Sequence, residues 1–462
     1  MKTRVAERGR TFADRVLPEG VARRIAQNTG WLLAERLARL LGAFAITIWV
    51  VRYLGPEDFG LLAYAISITM IAEVTSGLGV GAIVVRELVK TPEAEAELLG
   101  SAFALRLVAG LAIAAGALAL TWLVDGDPRA LAVVGIVLAS VPIRALSTFD
   151  QAFQARMQSR FSVIARTSGF AVAAAMKVAL LVVGAPLAWF AAAVTVEVAV
   201  AALGFVVLYA RTHPLAFQPR WHRVRELLRD SWPLAIAGAA AMVSLRIDQV
   251  MLRQMSPATE LGMYAAAARL SEVWYFVPVA LGTALLPALV ASHADRERHD
   301  RRLQVALDVA LWSAIGIALA VTFLGGIVIA VLYGSRFEGA ADILRLQLWA
   351  GPFVFMGVIS GRALLAQGLQ RVEALRYVVG APLNVGLNLL LIPRFDGAGA
   401  AVATLISYIA VTYLLLLAHP KTRHTGWLMT RAFLLPWRLR TEYLGTRRLA
   451  RASAEEPGIR LR

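Results

Sequence analysis

Runs of about twenty apolar residues, broken by short polar stretches, recur twelve times along the chain. They fall at 29–51, 60–85, 98–124, 130–150, 161–183, 187–210, 231–254, 261–292, 303–333, 343–367, 373–393 and 397–419. The clearest is Val309–Ser335, 27 residues without an Asp, Glu, Lys or Arg; Val178–Val196 carries none over 19 residues. Each run is long enough to cross the ~30 Å hydrocarbon core of a bilayer as a helix. None alternates apolar and polar residues with the two-residue period of a membrane-spanning strand. Gly184-Ala-Pro186 punctuates one region and separates two helices with a tight turn. The pattern predicts an all-α polytopic membrane protein of about twelve transmembrane helices.

Composition agrees. Of 462 residues, 58% are hydrophobic and 17% charged, against roughly 45–50% and 25% in a soluble domain. Mean hydropathy is +0.65. With no cysteine there is no disulfide framework and no thiolate chemistry. The net charge of +16 could point to nucleic acid, but the positions of the cations argue otherwise. Of 47 Lys and Arg, 33 fall in the termini or in and just beyond the loops after even-numbered spans; five (Arg52, Arg129, Arg253, Arg336, Arg394) fall in or at the edge of the other loops. This asymmetry places both termini in the cytoplasm, where the basic segments meet anionic membrane lipids, so no nucleic-acid partner is needed. Residues 1–28 read as a basic arm without the apolar core of a cleavable leader. Within the basic tail 420–462, Trp427–Arg451 interleaves Phe433, Leu434, Trp437, Leu439 and Tyr443 with arginines, the pattern of an interfacial helix; Pro436 would kink it.

Two short motifs recur. Arg52-Tyr-Leu-Gly-Pro56, with Gly60 and Tyr64, returns as Arg253-Gln-Met-Ser-Pro257, with Gly262 and Tyr264. Gly184-Ala-Pro-Leu-Ala before the sixth span is echoed by Gly397-Ala-Gly-Ala-Ala before the twelfth. Both copies of each motif fall on the same side, so the repeat is direct. It predicts an N-lobe of helices 1–6 (29–210), a cytoplasmic linker (211–230) and a C-lobe of helices 7–12 (231–419), an organisation suited to a transporter.

Charges within the spans mark candidate function, because a charge at mid-bilayer costs at least ~2.5–3.5 kcal/mol and normally faces water or a partner. Arg39, Arg106, Lys177, Arg246 and Arg269 form a candidate cationic cavity for an anionic head group, since guanidinium forks bind phosphate bidentately. Glu35, Glu73, Asp248 and Glu272 are candidates for ion coupling or salt bridges, with H⁺ or Na⁺ as the coupling ion and no other cofactor. Glu35 with Arg39, and Arg269 with Glu272, have helical spacings that allow pairing. Arg246 and Asp248, two residues apart, need separate partners. Arg144, Arg345 and Arg362, near span ends, read as snorkelling. There is no P-loop, no G-x-S-x-G and no H-E-x-x-H, and none of the six histidines has metal-ligand spacing. No catalytic residue or metal site is expected.

Several stretches resemble the bacterial polysaccharide biosynthesis (Wzx-type) flippases of the multidrug/oligosaccharidyl-lipid/polysaccharide exporter superfamily. They are Arg52-Tyr-Leu-Gly-Pro-Glu-Asp-Phe-Gly60, Ser231-Trp-Pro-Leu, Arg246-Ile-Asp-Gln-Val-Met-Leu252, Gly262-Met-Tyr-Ala-Ala-Ala-Ala-Arg-Leu-Ser-Glu272 and Ile392-Pro-Arg-Phe-Asp-Gly-Ala-Gly399. The resemblance covers roughly residues 28–420. It implies a transporter rather than an enzyme, in the bacterial inner membrane. Its substrate would be an undecaprenyl-pyrophosphate-linked oligosaccharide (an O-antigen, exopolysaccharide or capsule repeat), moved by alternating access. Glycosyltransferases and a glycan polymerase would be its partners. No span follows residue 420, unlike fourteen-span relatives. Two alternatives stay open: a multidrug or small-metabolite antiporter of the same superfamily, and a membrane-embedded glycan polymerase, for which the outward loops are short.

Overall fold

A computed structural model describes residues 19–213, 217–292 and 295–438, with side chains from residue 42 onward. Among them every regular element is helical. Among the described residues nine helical segments are long and apolar enough to cross a membrane, and the bent pair Ala340–Leu348 and Gly351–Ala366 makes ten if it counts as one span. Two of the nine run for 49 residues, Gly42–Lys90 and Gln370–Ala418. A straight helix of that length would be about 74 Å long, more than twice the ~30 Å hydrocarbon core. Both are broken: Gly55 (φ 72, ψ 179) interrupts the first and Asp396 (φ 46, ψ −130) the second. Dividing them there is consistent with twelve membrane segments. The break at 55 needs glycine because a positive φ is costly for residues with a Cβ.

The chain divides between Ala239 and Ala240 into two compact units. That divide lies inside the helix Trp221–Met255, whereas the sequence repeat places the lobe boundary at 230/231.

In the first unit α1 (Glu19–Ser76), α2 (Val80–Lys90), α3 (Glu95–Val124), α4 (Pro128–Leu138), α5 (Thr148–Ala155), α6 (Ser159–Val183) and α7 (Leu187–Thr212) follow in order. Helices α6 and α7 pack along each other, and small residues set how closely. A Cβ at Gly169 would lie 2.5 Å from the Glu197 carbonyl oxygen, and one at Gly204 would lie 3.1 Å from the Ala165 Cβ. Without a strong hydrophobic drive between helices in lipid, such close backbone contact supplies the packing energy. It also fixes the depth of Lys177 and Glu197 relative to one another. At one end Tyr53 donates to the Ala185 carbonyl (3.0 Å) and Arg129 pairs with Asp58 (2.7 Å).

The second unit takes in the rest of α8 (Trp221–Met255), then α9 (Ala258–Val273), α10 (Phe276–Ala291), α11 (Arg296–Tyr333), α12 (Ala340–Leu348), α13 (Gly351–Ala366), α14 (Gln370–Tyr408) and α15 (Arg423–Phe433). Its core joins Leu303, Leu307 and Leu311 of α11 to Phe355, Met356 and Ile359 of α13. A π-helical turn, Ile409–Leu414, follows α14. Such turns leave backbone groups outside the regular ladder, and here the Val411 carbonyl accepts from Arg376 Nε (3.2 Å).

The C-terminal segment departs from the expected interfacial helix. Helix α15 inserts one face into the protein: Leu428, Met429 and Ala432 belong to the second unit's core. Gln304 and Trp312 of α11 donate to the Leu428 and Ala432 carbonyls (3.2 and 3.1 Å). Arg438 pairs with buried Asp308 (3.2 Å). The apolar residues that a lipid-facing helix would present are divided, since Trp427 and Trp437 stay exposed. The rest of the expected tail, 439–462, and residues 1–18 of the expected arm 1–28 lie outside the described residues, while 19–28 of that arm begin α1.

Candidate functional site

Each unit holds its own group of polar side chains on its membrane-span helices. In the first unit Glu73 of α1 lies 2.9 Å from the Arg144 guanidinium. Arg106 of α3 donates to Ser147 and Thr148 (both 3.3 Å). Lys177 of α6 and Glu197 of α7 are 3.6 Å apart. Arg166 of α6 pairs with Asp150 of α5 (2.6 Å), whose same oxygen accepts from Gln154 (2.8 Å). Asp150 is buried, yet its second oxygen, Oδ1, has no hydrogen-bond partner among the described residues. A cavity of about 390 Å³ opens here, bounded by Arg144, Ser147, Asp150, Arg166, Glu197 and Phe205 among others.

The local sequence explains the placement. Pro142 stands at the start of a stretch of short helical turns, Ser140–Ile143 and then Arg144–Ser147. These turns aim Arg144 and Ser147 differently from a continuous helix. Gly110 receives the Pro142 backbone closely, since a Cβ there would sit 3.1 Å from the Pro142 Cα. That approach sets α3, and hence Arg106, beside residues 147 and 148.

In the second unit Arg246 of α8 grips Glu272 of α9 with two hydrogen bonds (2.7 and 3.2 Å). The geometry is the bidentate fork favoured by guanidinium and carboxylate. Asp248 faces elsewhere and accepts from the Tyr264 hydroxyl and the Gln249 backbone N–H. Arg246 and Asp248 therefore take separate partners, as their spacing requires. The expected pairing of Arg269 with Glu272 does not form: Glu272 is taken by Arg246, and Arg269 makes no ion pair or hydrogen bond with another described residue. Helical i,i+3 spacing permits a pair but cannot outcompete a bidentate partner from the neighbouring helix.

A second cavity, of about 280 Å³, is bounded by Ser244, Tyr275, Arg376, Tyr377, Asn384 and Tyr408 among others. Arg376 is saturated by Glu373 (2.7 Å), Thr412 (3.0 Å) and the Val411 carbonyl. Buried Asn388 donates to Asn384 (3.0 Å), which in turn donates to Ser407 (3.4 Å).

Of the sequence-predicted residues, Glu73 and Arg106 fall in one group, as do Arg246, Asp248, Arg269 and Glu272. Lys177 pairs with Glu197 beside the first unit's cavity. Glu35 and Arg39 lie outside the residues whose side chains are described. Arg144, read as snorkelling, is a member of the first unit's cluster. Arg345 bonds Asp342 (2.6 Å) and the Thr322 carbonyl (3.2 Å). Asp150, Arg166, Glu373 and Arg376 went unpredicted as site residues, because they lie at the edges of the apolar runs, where charges read as loop. Their signal was the i,i+3 spacing of Glu373 and Arg376 and the closeness of Asp150 to Arg144.

The helices define a polytopic α-helical membrane protein with ion pairs between helices in each half. Its fold is that of known exporters. One likeness is to an inward-facing multidrug resistance MATE family transporter of the MOP superfamily (TM-score 0.65, 15% identity, 86% of this chain and 95% of that one). Another is to lipid II flippase MurJ in an inward closed conformation (TM-score 0.70, 14% identity, 89% and 92%). A family model described as "Polysaccharide biosynthesis protein" matches residues 25–293, and one described as MatE matches 233–390. The chain belongs to the polysaccharide biosynthesis protein family.

Two curated relatives are similar in sequence. The succinoglycan biosynthesis transport protein ExoT of Rhizobium meliloti is 23% identical over 70% of this chain. The probable low-salt glycan biosynthesis flippase Agl15 of Haloferax volcanii is 21% identical over 43%. These matches span 66% and 42% of the relatives' own lengths.

Proposed function

We propose that the protein is a flippase that moves an undecaprenyl-pyrophosphate-linked oligosaccharide across the bacterial inner membrane by alternating access, with both termini cytoplasmic. Family membership and the two glycan-transport relatives support the class of substrate. The observation that carries the reading at the site is Arg269. It is a half-buried cation in a membrane-spanning helix with no ion-pair partner among the described residues. Keeping such a charge at membrane depth is costly, and an anionic pyrophosphate would compensate it on arrival. The lipid tail would stay in the bilayer, so its hydrophobic stabilisation is retained, and the sugar would stay hydrated. Protons or Na⁺ acting at Glu73 or Asp248 would reset the cycle.

The test is a proteoliposome assay with a fluorescent undecaprenyl-pyrophosphate oligosaccharide, following the sugar's appearance on the opposite leaflet. Wild type is expected to flip it, and Arg269→Ala to do so at least about ten-fold more slowly, the loss expected for one charge-assisted contact. Full activity in Arg269→Ala would remove the site assignment while leaving the function. No flipping of the lipid-linked sugar by wild type, with drug efflux instead, would establish the antiporter reading that the MatE match on 233–390 favours. Collapse of ΔpH and of the Na⁺ gradient without effect on the rate would remove the coupling.

A further inference from the structure

The first unit's cavity differs in kind from a phosphate site. Its charged walls are Arg144 and Arg166 on one hand and Asp150 and Glu197 on the other, so its formal charge is zero. A pyrophosphate offers only acceptors and would meet two carboxylates. The donors and acceptors on the wall are segregated: guanidinium groups can only donate and ionised carboxylates can only accept. A ligand satisfying both must carry groups that donate and accept, and a hydroxyl does so. Asp150 sharpens the requirement. The residue is only 6% exposed, one oxygen is held by Arg166 and Gln154, and Oδ1 has no partner among the described residues. A buried carboxylate oxygen without a donor is costly, so the site is built to receive one. Phe205 adds an apolar wall on which the C–H face of a sugar ring can rest. The volume of about 390 Å³ falls in the ~300–1,000 Å³ range of small-molecule sites.

We infer that this cavity is a sugar subsite within the first unit, taking an uncharged sugar ring of the transported glycan, with Asp150 Oδ1 accepting from a ring hydroxyl and Arg144 and Arg166 donating to others. The inference rests on the flippase reading and names the part of the substrate this cavity holds. It separates recognition of the sugar, at a neutral cavity, from recognition of the pyrophosphate. Glycan choice then resides in residues 144–205 rather than in the cationic positions.

The experiment uses the full chain in lipid nanodiscs, free of glycoside detergents, and saturation-transfer difference NMR with maltose, cellobiose and lactose as probes. Two variants are compared with wild type. Asp150→Asn keeps the shape of the side chain but replaces the carboxylate. Val198→Phe fills the cavity from a half-buried wall position and touches no ion pair. Wild type is expected to give saturable transfer from at least one disaccharide, unaffected by inorganic pyrophosphate. Both variants are expected to bind it about ten-fold more weakly, the loss of one charge-assisted hydrogen bond in the first case. No saturable transfer from any of the three sugars, equal transfer in Val198→Phe, or displacement by pyrophosphate would overturn the inference. The flipping assay on the same preparations distinguishes the two proposals. Flipping without sugar binding removes the subsite alone, and sugar binding without flipping removes the flippase reading alone.

Discussion

The two units repeat a motif yet use their intramembrane charges differently. In the second unit the pairs made by Arg246 and Arg376 are enclosed and complete. The Arg246 side chain is 7% exposed and Glu272 22%; Arg376 is 6% exposed and holds three partners. In the first unit two contacts are open: Arg144 and Glu73 are 39% and 30% exposed, and Lys177 and Glu197 are 3.6 Å apart with 23% and 37% exposure. Enclosed pairs have already met their desolvation cost with geometry, so breaking one leaves an uncompensated buried charge. Open pairs contribute little to stability and can exchange a protein partner for a ligand. On the proposed flippase reading, the contrast gives the Arg246–Glu272 and Arg376–Glu373 pairs a structural role and the open pairs of the first unit a substrate-facing one.

That contrast can be broken or sharpened by substitution, beginning with the largest effect. Glu272→Ala strands Arg246, and a loss of about 3–5 kcal/mol is expected, read as a large fall in Tm of the purified protein. Gly169→Val places a side chain against the Glu197 carbonyl, which a Cβ would approach to 2.5 Å; about 1–3 kcal/mol is expected from overpacking α6 on α7, with Lys177 and Glu197 driven apart. Tyr264→Phe removes one hydrogen bond to Asp248 but leaves the Gln249 N–H in place, so a loss of about 1–2 kcal/mol is expected in the same melt. Trp312→Phe deletes the bond to the Ala432 carbonyl. A loss of about 1 kcal/mol would show as faster proteolytic clipping near α15 rather than as a large change in Tm. An effect of Trp312→Phe as large as that of Glu272→Ala would contradict the ranking of charged over neutral buried contacts.

Much of this architecture is legible in the sequence. Hydrophobic periodicity located the membrane segments because a helix in lipid must satisfy its own backbone, and that demand is local. The breaks at Gly55 and Asp396 fall at the polar interruptions between apolar runs. The separate partners of Arg246 and Asp248 followed from helical geometry alone. What the sequence could not specify is which of several possible acids each arginine takes. Glu272 lies three residues after Arg269, within its helical reach, yet its partner comes from another helix 26 positions away. Nor could composition separate the two faces of α15: the same Trp and Arg residues that suit a lipid surface also accompany a face packed against α11. Asp150 was passed over because it lies at the end of an apolar run, where a carboxylate ordinarily faces solvent.

The measurement that tests the division of labour most directly pairs a melt with a flipping assay on two isosteric variants, Glu73→Gln in the first unit and Glu272→Gln in the second. Glu73→Gln is expected to melt within about 1 kcal/mol of wild type while slowing translocation of the lipid-linked oligosaccharide, and Glu272→Gln to lose stability well beyond that. A destabilised Glu73→Gln beside a stable, transport-deficient Glu272→Gln would contradict the assignment and exchange the roles of the two units.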